Sequence, residues 1–266
     1  MPSISENFTS WNNTYEWPNQ GDEWSRAWGG SERLWWLTLF PRIREFIPTG
    51  TILEIGPGYG RCTQFLKDYC DRMILVDLSP RCIEASRERF ASANHLEYHT
   101  NDGLSLDMVP DKSIDFVFSF DSLVHADVRV LEAYVKQLGS KLKPGGFGFI
   151  HHSNLGNYSA ITKATRIVNR VLPLRWRKKL VRLGYLMNTS WRAEDMTARR
   201  FVEMCRGAGL ACEHQELINW GNRNFVIDAF STFRASSESL SQPTVFRHRQ
   251  FMDEVTKLCK SRPLKF

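Results

Sequence analysis

The motif Glu54-Ile55-Gly56-Pro57-Gly58-Tyr59-Gly60 decides the fold of this chain. It follows a short apolar run at residues 51–55 and precedes a predicted helix at residues 60–69. Glycines at a strand-to-helix turn let the backbone approach a bound ligand closely, because no Cβ stands in the way. We therefore predict that the motif is the first βα turn of a doubly wound α/β domain, with a ligand site beside it.

Strand and helix patterns continue to alternate after this motif. The predicted strands are residues 72–77, 95–99, 114–120 and 147–152, and the predicted helices between them include residues 80–90 and 127–142. This alternation indicates βαβ units and a mostly parallel sheet, and ligands bind to such sheets beyond the carboxyl ends of the strands. Two later strands complete an expected sheet of seven, at residues 211–219 and 225–233 around the turn Trp220-Gly221-Asn222.

The composition is that of an ordinary globular protein with a modest excess of positive charge. The net charge of +6 and the isoelectric point near 9.1 favour an anionic partner. The densest basic run, residues 175–182, also fits the solvated face of an amphipathic helix. No zinc-finger or helix-turn-helix pattern accompanies it, so we expect no nucleic-acid partner.

Cysteine usage and hydropathy predict the compartment. The six cysteines have no CxxC spacing, which indicates reduced thiols in a cytoplasmic protein. No apolar run reaches the length of a membrane span, and the start of the chain lacks the pattern of a secretory signal.

The spacing of the glycines separates two classes of nucleotide-binding enzyme. The dinucleotide fingerprint GxGxxG would need its third glycine at position 61, which is Arg61. The chain instead has GxGxG at Gly56, Gly58 and Gly60, preceded by the acid Glu54 within the strand. This pattern resembles the first motif of class I S-adenosylmethionine-dependent methyltransferases, and it leaves a nicotinamide-dependent dehydrogenase as the last alternative.

The resemblance continues in order along residues 52–152. Asp77 ends the second predicted strand, where the family binds both ribose hydroxyls, and a carboxylate accepts two such hydrogen bonds well. Asp102 follows the third strand, where the family places an acid against the adenine amino group. Residues 111–117 and 141–146 are similar to the family's approaches to the fourth and fifth strands.

The resemblance implies S-adenosyl-L-methionine as the cofactor and a set of residues around it. Glu54 would order the glycine loop or contact the methionine amino group. The expected cofactor-binding residues are Glu54, Gly56, Gly58, Gly60, Asp77, Leu78, Asp102, Gly103, Phe120 and Trp28.

The resemblance also implies the Rossmann-like methyltransferase fold in a single domain with five parts. These parts are an aromatic-rich helical cap (1–48), a cofactor-binding core (49–152), a helical lid insertion (153–190), a last helix with an antiparallel strand pair (191–234) and a tail (235–266). We expect the tryptophans of the cap and the helices of the insertion to close over the acceptor.

Candidate catalytic residues lie at the ends of the fourth and fifth strands. Methyl transfer is an in-line displacement in which the protein mainly aligns the acceptor, and an alcohol acceptor also needs a general base. Because neighbouring residues of a strand face opposite sides, at most one of His151 and His152 can face the acceptor. We expect His152 to be the base and His151 to be buried, with His125 or Asp121 positioning the acceptor or an ion.

The expected function is methyl transfer to a hydroxyl of a sugar or other small hydroxylated molecule. The segments GDEW at 21–24, FSFDSLVH at 118–125 and GFIHHSN at 148–154 are similar to bacterial sugar O-methyltransferases, including those that act on methylmannose oligosaccharides. Some such enzymes use Mg²⁺, for which Asp121 and Asp228 are candidate ligands here. A homodimer is one expected assembly.

Two other functions stay open at this point. The first is an N-methyltransferase for a small amine or an amino-sugar. The second is a module that binds the cofactor without transferring its methyl group, although the acids at positions 54, 77 and 102 favour a working site.

Overall fold

Eight strands lie in one sheet within residues 3–187, 191–220, 224–236 and 242–261, the parts of the chain that this computed structural model describes. The strands are β1 (Thr49–Ile55), β2 (Cys70–Asp77), β3 (Leu96–Thr100), β4 (Ile114–Ser119), β5 (Leu142–Ser153), β6 (Leu210–Ile218), β7 (Asp228–Ala235) and β8 (Thr244–His248). Their order in the sheet is β3-β2-β1-β4-β5-β7-β6-β8. The pairs among β1 to β5 are parallel, while β7 is antiparallel to both β5 and β6.

The predicted α/β fold is confirmed, but the number of strands is eight and not seven. The added strand, β8, pairs in parallel with β6 at the edge of the sheet. Its residues Val245 and Phe246 are exposed, so the segment lacks the alternation of buried and exposed side chains that marks a strand in sequence. In the predicted turn Trp220-Gly221-Asn222, the last two residues lie outside the described residues.

Ten α-helices are present in the described parts of the chain. They are α1 (Ile4–Phe8), α2 (Ser31–Leu34), α3 (Phe40–Ile43), α4 (Thr63–Leu66), α5 (Pro80–Arg89), α6 (Val128–Lys141), α7 (Ser159–Val171), α8 (Leu174–Arg182), α9 (Ala198–Gly207) and α10 (Phe251–Ser261). Side chains of Ser79, Asp127 and Thr197 cap the amino termini of α5, α6 and α9. These caps explain why the helix starts are visible in the sequence.

Residues 31–43 form two short helices with a widened turn between them. A π-helical turn, Trp35–Leu39, separates α2 from α3. Pro41 lies in the first turn of α3 and carries no N–H, so it cannot bond to the carbonyl four residues earlier. The proline therefore accounts for the widened turn that precedes it.

Two apolar clusters cover the two faces of the sheet. Along β2, Ile74 and Val76 pack into one cluster, and Met73 and Leu75 pack into the other. The first cluster includes side chains of α6 and α9, and the second includes Trp35 and Phe251 of the flanking segments. The sheet is thus buried on both faces, and its strand ends are left to form a site. No helix in the described residues is long and apolar enough to cross a bilayer.

Candidate functional site

A cavity of about 470 Å³ opens at the carboxyl ends of β1, β2 and β4. This is the edge that the sheet topology predicts for a ligand, and the volume is in the range of small-molecule sites. Three parts of the chain line it. They are N-terminal residues between Ile4 and Trp28, core residues between Glu54 and Tyr134, and the three later residues Trp191, Arg192 and Trp220.

The glycine motif forms part of the cavity wall, but its three glycines have different roles. All three have positive φ. A Cβ on Gly56 would lie 1.9 Å from Ser122 Oγ, and a Cβ on Gly58 would lie 3.0 Å from the ring of Trp17. Gly60 does not line the cavity, and a Cβ there would lie 2.3 Å from the ring of Phe90. The third glycine therefore serves helix packing and not the ligand.

Asp77 lines the cavity at the end of β2, as predicted, together with Leu78. Its carboxylate accepts hydrogen bonds from the backbone N–H of Gly58 at 3.0 Å and of Ser79 at 2.8 Å. Burial at the cavity wall outweighs these bonds and raises the pKa of Asp77 to about 6. The side chain is held in place by backbone groups, and its remaining lone pairs are available to hydroxyl donors.

Glu54 lies on β1 beneath the glycine motif and lines the cavity. It is 3% exposed and accepts a hydrogen bond from Thr63 Oγ1 at 2.6 Å. Burial raises the pKa of Glu54 to about 7. A carboxyl in this state can change its protonation when a charged ligand enters the cavity.

Asp102 does not line the cavity, whereas its neighbour Gly103 does. The exposed carboxylate of Asp102 accepts hydrogen bonds from the backbone N–H groups of Leu104 and Ser105, which lower its pKa. The side chain therefore holds its own turn together. Its position gives no support to the predicted contact with an adenine amino group.

Arg61 stands at the position where a dinucleotide fingerprint needs a glycine, and in the structure its side chain is a main feature of the cavity wall. It is 9% exposed, and its Nη2 lies 3.0 Å from Asp121 Oδ2. Its Nη1 is buried and has no hydrogen-bond partner in the described structure. The guanidinium also lies over the ring of Phe120, with 5.3 Å between its Cζ and the ring centroid. A buried donor without a partner is costly, so this nitrogen is a candidate anion-binding group.

Asp121 follows β4 in a turn with φ of +59°, and this turn directs the carboxylate toward Arg61. Burial raises the pKa of Asp121, but the nearby cations, Arg61 first among them, outweigh burial and leave it below the ordinary value. Asp121 is therefore an ionised partner of Arg61 at the cavity wall.

His151 belongs to a buried network behind Asp121. Its Nδ1 accepts a hydrogen bond from the backbone N–H of Asp121 at 3.2 Å, and its Nε2 contacts Asp228 at 3.2 Å. Arg192 Nε donates to both oxygens of Asp228 at 2.8 Å, and Trp220 Nε1 also donates to this carboxylate. Both ring nitrogens of His151 are thus engaged, and the ring is completely buried.

The candidate Mg²⁺ ligands are not arranged as a metal site. Asp121 is paired with Arg61, and Asp228 is paired with Arg192, His151 and Trp220. No group of three or more potential ligands occurs among the residues with described positions. Carboxylates already neutralised by arginine are poor ligands for a hard cation.

His152 does not reach the cavity, so the expectation that it faces the acceptor is wrong. It is fully buried, its Nε2 contacts Ser231 Oγ at 2.8 Å, and its Nδ1 contacts the Ser153 carbonyl at 2.9 Å. Its ring stacks on Phe201 of α9, with centroids 4.4 Å apart. His151 and His152 do face opposite sides, as the pleat requires, but the cavity is not on the side of His152.

His125 is the histidine that lines the cavity. Its Nδ1 lies 2.9 Å from the carbonyl oxygen of Trp191, which can only accept, so Nδ1 carries the proton. Its Nε2 has no partner among the described residues and carries the lone pair of the neutral ring. Burial lowers the pKa of His125, which keeps the ring neutral near pH 7.

Aromatic side chains of the N-terminal segment form another wall of the cavity. Trp11 lies between Tyr15, Trp24, His125 and Trp191, with centroid distances between 5.5 and 6.2 Å. Trp17 stacks on Tyr59 of the glycine motif at 4.6 Å.

Other predicted cap and lid residues behave differently. Trp28 also lines the cavity, but it is almost fully buried and donates from Nε1 to Thr38 Oγ1 at 2.7 Å. The described residues of the insertion, 155–187, do not line the cavity, so they are not a lid in this conformation.

Comparisons with known proteins agree with this architecture. Residues 52–146 match the model of a methyltransferase domain. The chain is also similar in structure to an S-adenosylmethionine-dependent methyltransferase from Methanosarcina mazei, with a TM-score of 0.54 and 15% identity over 75% of this chain and 99% of that one.

Curated relatives match shorter parts of the chain. An rRNA adenine N-6-methyltransferase from Streptomyces fradiae is 36% identical over 62 residues, which are 23% of this chain and 19% of the relative. Nodulation protein S from Sinorhizobium fredii is 26% identical over 125 residues, or 46% of this chain and 57% of the relative. The chain therefore spans less than two thirds of the length of these relatives.

Proposed function

We propose that this chain is an S-adenosylmethionine-dependent methyltransferase that methylates a hydroxyl of a sugar or other small hydroxylated molecule. The match of residues 52–146 to the model of a methyltransferase domain supports the reaction class. The observation that carries this proposal is the state of His125. A neutral imidazole in the cavity wall, with an unprotonated Nε2, is suited to accept the proton that a hydroxyl must lose.

The residues of the cavity fit the cofactor. Asp77 would accept hydrogen bonds from the ribose hydroxyls, while Leu78 and Gly103 would contact the adenine. Arg61 Nη1, which lacks a partner among the described residues, would bind the carboxylate of the methionine part. Glu54 lies under the glycine motif and would balance the charge of the amino group.

The protein's contribution to the reaction is alignment and proton acceptance. When bound, the cofactor supplies an electrophilic methyl group for an in-line displacement. Trp191 holds the His125 ring through its carbonyl, and Trp11 packs against the same ring. These contacts fix the orientation of the ring and so the direction of Nε2, which would meet the acceptor in a defined geometry.

The aromatic wall supports a sugar or another ring-shaped polyol as the acceptor. Indole faces pack well on the apolar face of a sugar ring, and Trp11 and Trp24 line the cavity near His125. An oligosaccharide acceptor of the methylmannose type is the finer form of this proposal. Both candidate carboxylates, Asp121 and Asp228, are paired with arginine, so we propose no role for Mg²⁺.

An amine acceptor is the second candidate, because one relative is named as an rRNA adenine N-6-methyltransferase. A small amine loses its proton in solution near neutral pH more readily than a sugar hydroxyl, so it has less need of His125. The discriminating experiment is a screen of sugars and amines with a labelled methyl donor, with and without a chelator. We expect labelled sugars in both conditions. Labelling of amines alone would contradict the proposal.

A further inference from the structure

The insertion between β5 and α9 carries an unusual distribution of charge. Residues 159–187, called here the basic insertion, contain eight lysines and arginines and no aspartate or glutamate. Among its described side chains, Lys163, Arg170, Arg175 and Lys179 are exposed. Arg166 is also exposed and pairs with Glu194 outside the insertion. The insertion thus presents a surface of a single sign.

The same insertion exposes large apolar side chains. Of the ten large hydrophobic side chains that are exposed among the described residues, six lie between residues 167 and 185. They are Ile167, Val171, Leu174, Trp176, Leu183 and Tyr185. Apolar side chains scattered singly on a surface are ordinary, but a concentration of this kind marks an interaction site.

The helix α7 exposes a stripe of aliphatic side chains. Its outward stripe is Ala164, Ile167, Val168 and Val171, at spacings of three and four residues. The buried side toward the protein holds Thr162 and Thr165, and Thr165 Oγ1 accepts a hydrogen bond from the backbone N–H of Met187. The helix therefore packs two hydroxyls and Ile161 against the protein, and its other aliphatic side chains form the outward stripe.

On α8 and just after it, aromatic and basic groups alternate on the exposed surface. Trp176 is 47% exposed, and the cations of Arg175 and Lys179 lie 5.9 and 5.4 Å from its ring. Tyr185 is 72% exposed. Tryptophan and tyrosine between apolar and basic side chains are the composition of a helix that lies at a membrane interface.

We propose that the basic insertion docks this protein on an anionic lipid surface. Its aliphatic side chains would enter the boundary between headgroups and acyl chains, while its lysines and arginines would contact lipid phosphates. A second copy of the chain would bring two surfaces of the same charge together, which disfavours it as the occupant. Nucleic acid would pair with the cations but would leave the aliphatic side chains exposed.

Binding to vesicles tests this inference without any enzymatic assay. The full chain is mixed with vesicles of phosphatidylcholine alone or of phosphatidylcholine with phosphatidylglycerol, and the bound fraction is measured by flotation. The triple variant Arg170→Gln, Arg175→Gln, Lys179→Gln should bind anionic vesicles about a hundredfold more weakly, since each basic residue near the surface contributes about fivefold. A matched control is Arg87→Gln, Arg129→Gln, Arg199→Gln, which removes the same charge elsewhere and should bind within about twofold of the parent chain.

A second pair of variants tests how much the exposed apolar side chains contribute to vesicle binding. Ile167→Ser with Trp176→Ser should weaken binding roughly tenfold or more. Val245→Ser with Phe246→Ser alters equally exposed side chains on β8 and should leave binding unchanged. Binding of S-adenosylhomocysteine by each variant confirms that the core is folded.

Three results would overturn the proposal. The first is no preference for anionic over neutral vesicles. The second is equal weakening by the test and control variants. The third is an absence of vesicle binding together with binding of a double-stranded RNA, or self-association of the chain, that the variants of the basic insertion abolish.

Discussion

Arg61 Nη2 lies 3.0 Å from Asp121 Oδ2, and this contact leaves the other terminal nitrogen of the guanidinium buried without a partner in the described structure. One terminal nitrogen of the guanidinium is thus bound by the protein, and the other is available to an anion. A ligand carboxylate would complete the set of hydrogen bonds that this nitrogen can donate.

The first prediction concerns this nitrogen. Arg61→Met should weaken the binding of S-adenosylhomocysteine about tenfold or more, which is the effect of losing a hydrogen bond between charged groups. The decarboxylated analogue of that ligand should lose less than twofold on the same substitution, because it has no carboxylate to bind. Titration calorimetry of both ligands against both proteins measures the difference. Equal losses for the two ligands would show that Arg61 shapes the cavity and does not bind the carboxylate.

The second prediction concerns Asp77. Asp77→Asn should weaken S-adenosylhomocysteine by about 2 kcal/mol, because an amide accepts hydroxyl hydrogen bonds less strongly than a carboxylate does. Since burial raises the pKa of Asp77 to about 6, the affinity of the parent chain should also fall as the pH decreases below 6. Asp71→Asn, at the other end of β2, is the control and should behave like the parent chain. Unchanged affinity in the Asp77 variant would exclude the ribose contact.

The third prediction concerns the base. His125→Asn should reduce kcat about a hundredfold at pH 7 while S-adenosylhomocysteine affinity stays within about threefold. Burial lowers the pKa of His125, so its ring stays neutral to a lower pH than a free histidine. As the pH is decreased, the rate of the parent chain should therefore stay constant to below pH 6.5 and then decline. His152→Asn should lower the midpoint of thermal unfolding more than it lowers the rate, because that ring is packed on Phe201. If His125→Asn keeps near-normal turnover of a hydroxyl acceptor, a different group accepts the proton.

The fourth prediction concerns stability. Burial raises the pKa of Glu54 from 4.5 to about 7, so the folded protein holds this proton more tightly than the unfolded chain does. The contribution of this bound proton to the free energy of unfolding is therefore complete below about pH 4.5, and it is lost as the pH rises through about 7. Glu54→Gln should remove this loss. At pH 8 its free energy of unfolding should exceed that of the parent chain by up to about 3 kcal/mol. Urea unfolding of both proteins at pH 5 and pH 8 measures the change, and a difference independent of pH would contradict it.

Elements buried on both faces are visible in the sequence. Ile74 and Leu75 of β2 are completely buried, so the strand is a continuous apolar run, and Asp77 at its end follows from the topology of a parallel sheet. The exposed edge strand β8 has no such run. A pattern of burial predicts strands that make the core and does not predict strands that only extend the sheet.

The catalytic side of the cavity could not be predicted in the same way. The pleat correctly separates His151 from His152, but the side that meets the cavity depends on Phe201 and Asp228, which are distant in sequence. The role of Arg61 depends on the turn at Asp121, sixty residues later. Such contacts between distant segments leave no periodic signal in either segment.

The cavity draws its walls from three separate stretches of chain, and this has a consequence for how its chemistry can be altered. The donor end is encoded within residues 54–134, whereas Trp11, Trp24, Trp191 and Trp220 come from the flanks. Under the proposed function, exchange of these four tryptophans would change the molecule that receives the methyl group, whereas Trp17, which stacks on Tyr59, must be kept for the glycine motif. In this sense the central stretch determines the methyl donor, and the flanks determine the acceptor.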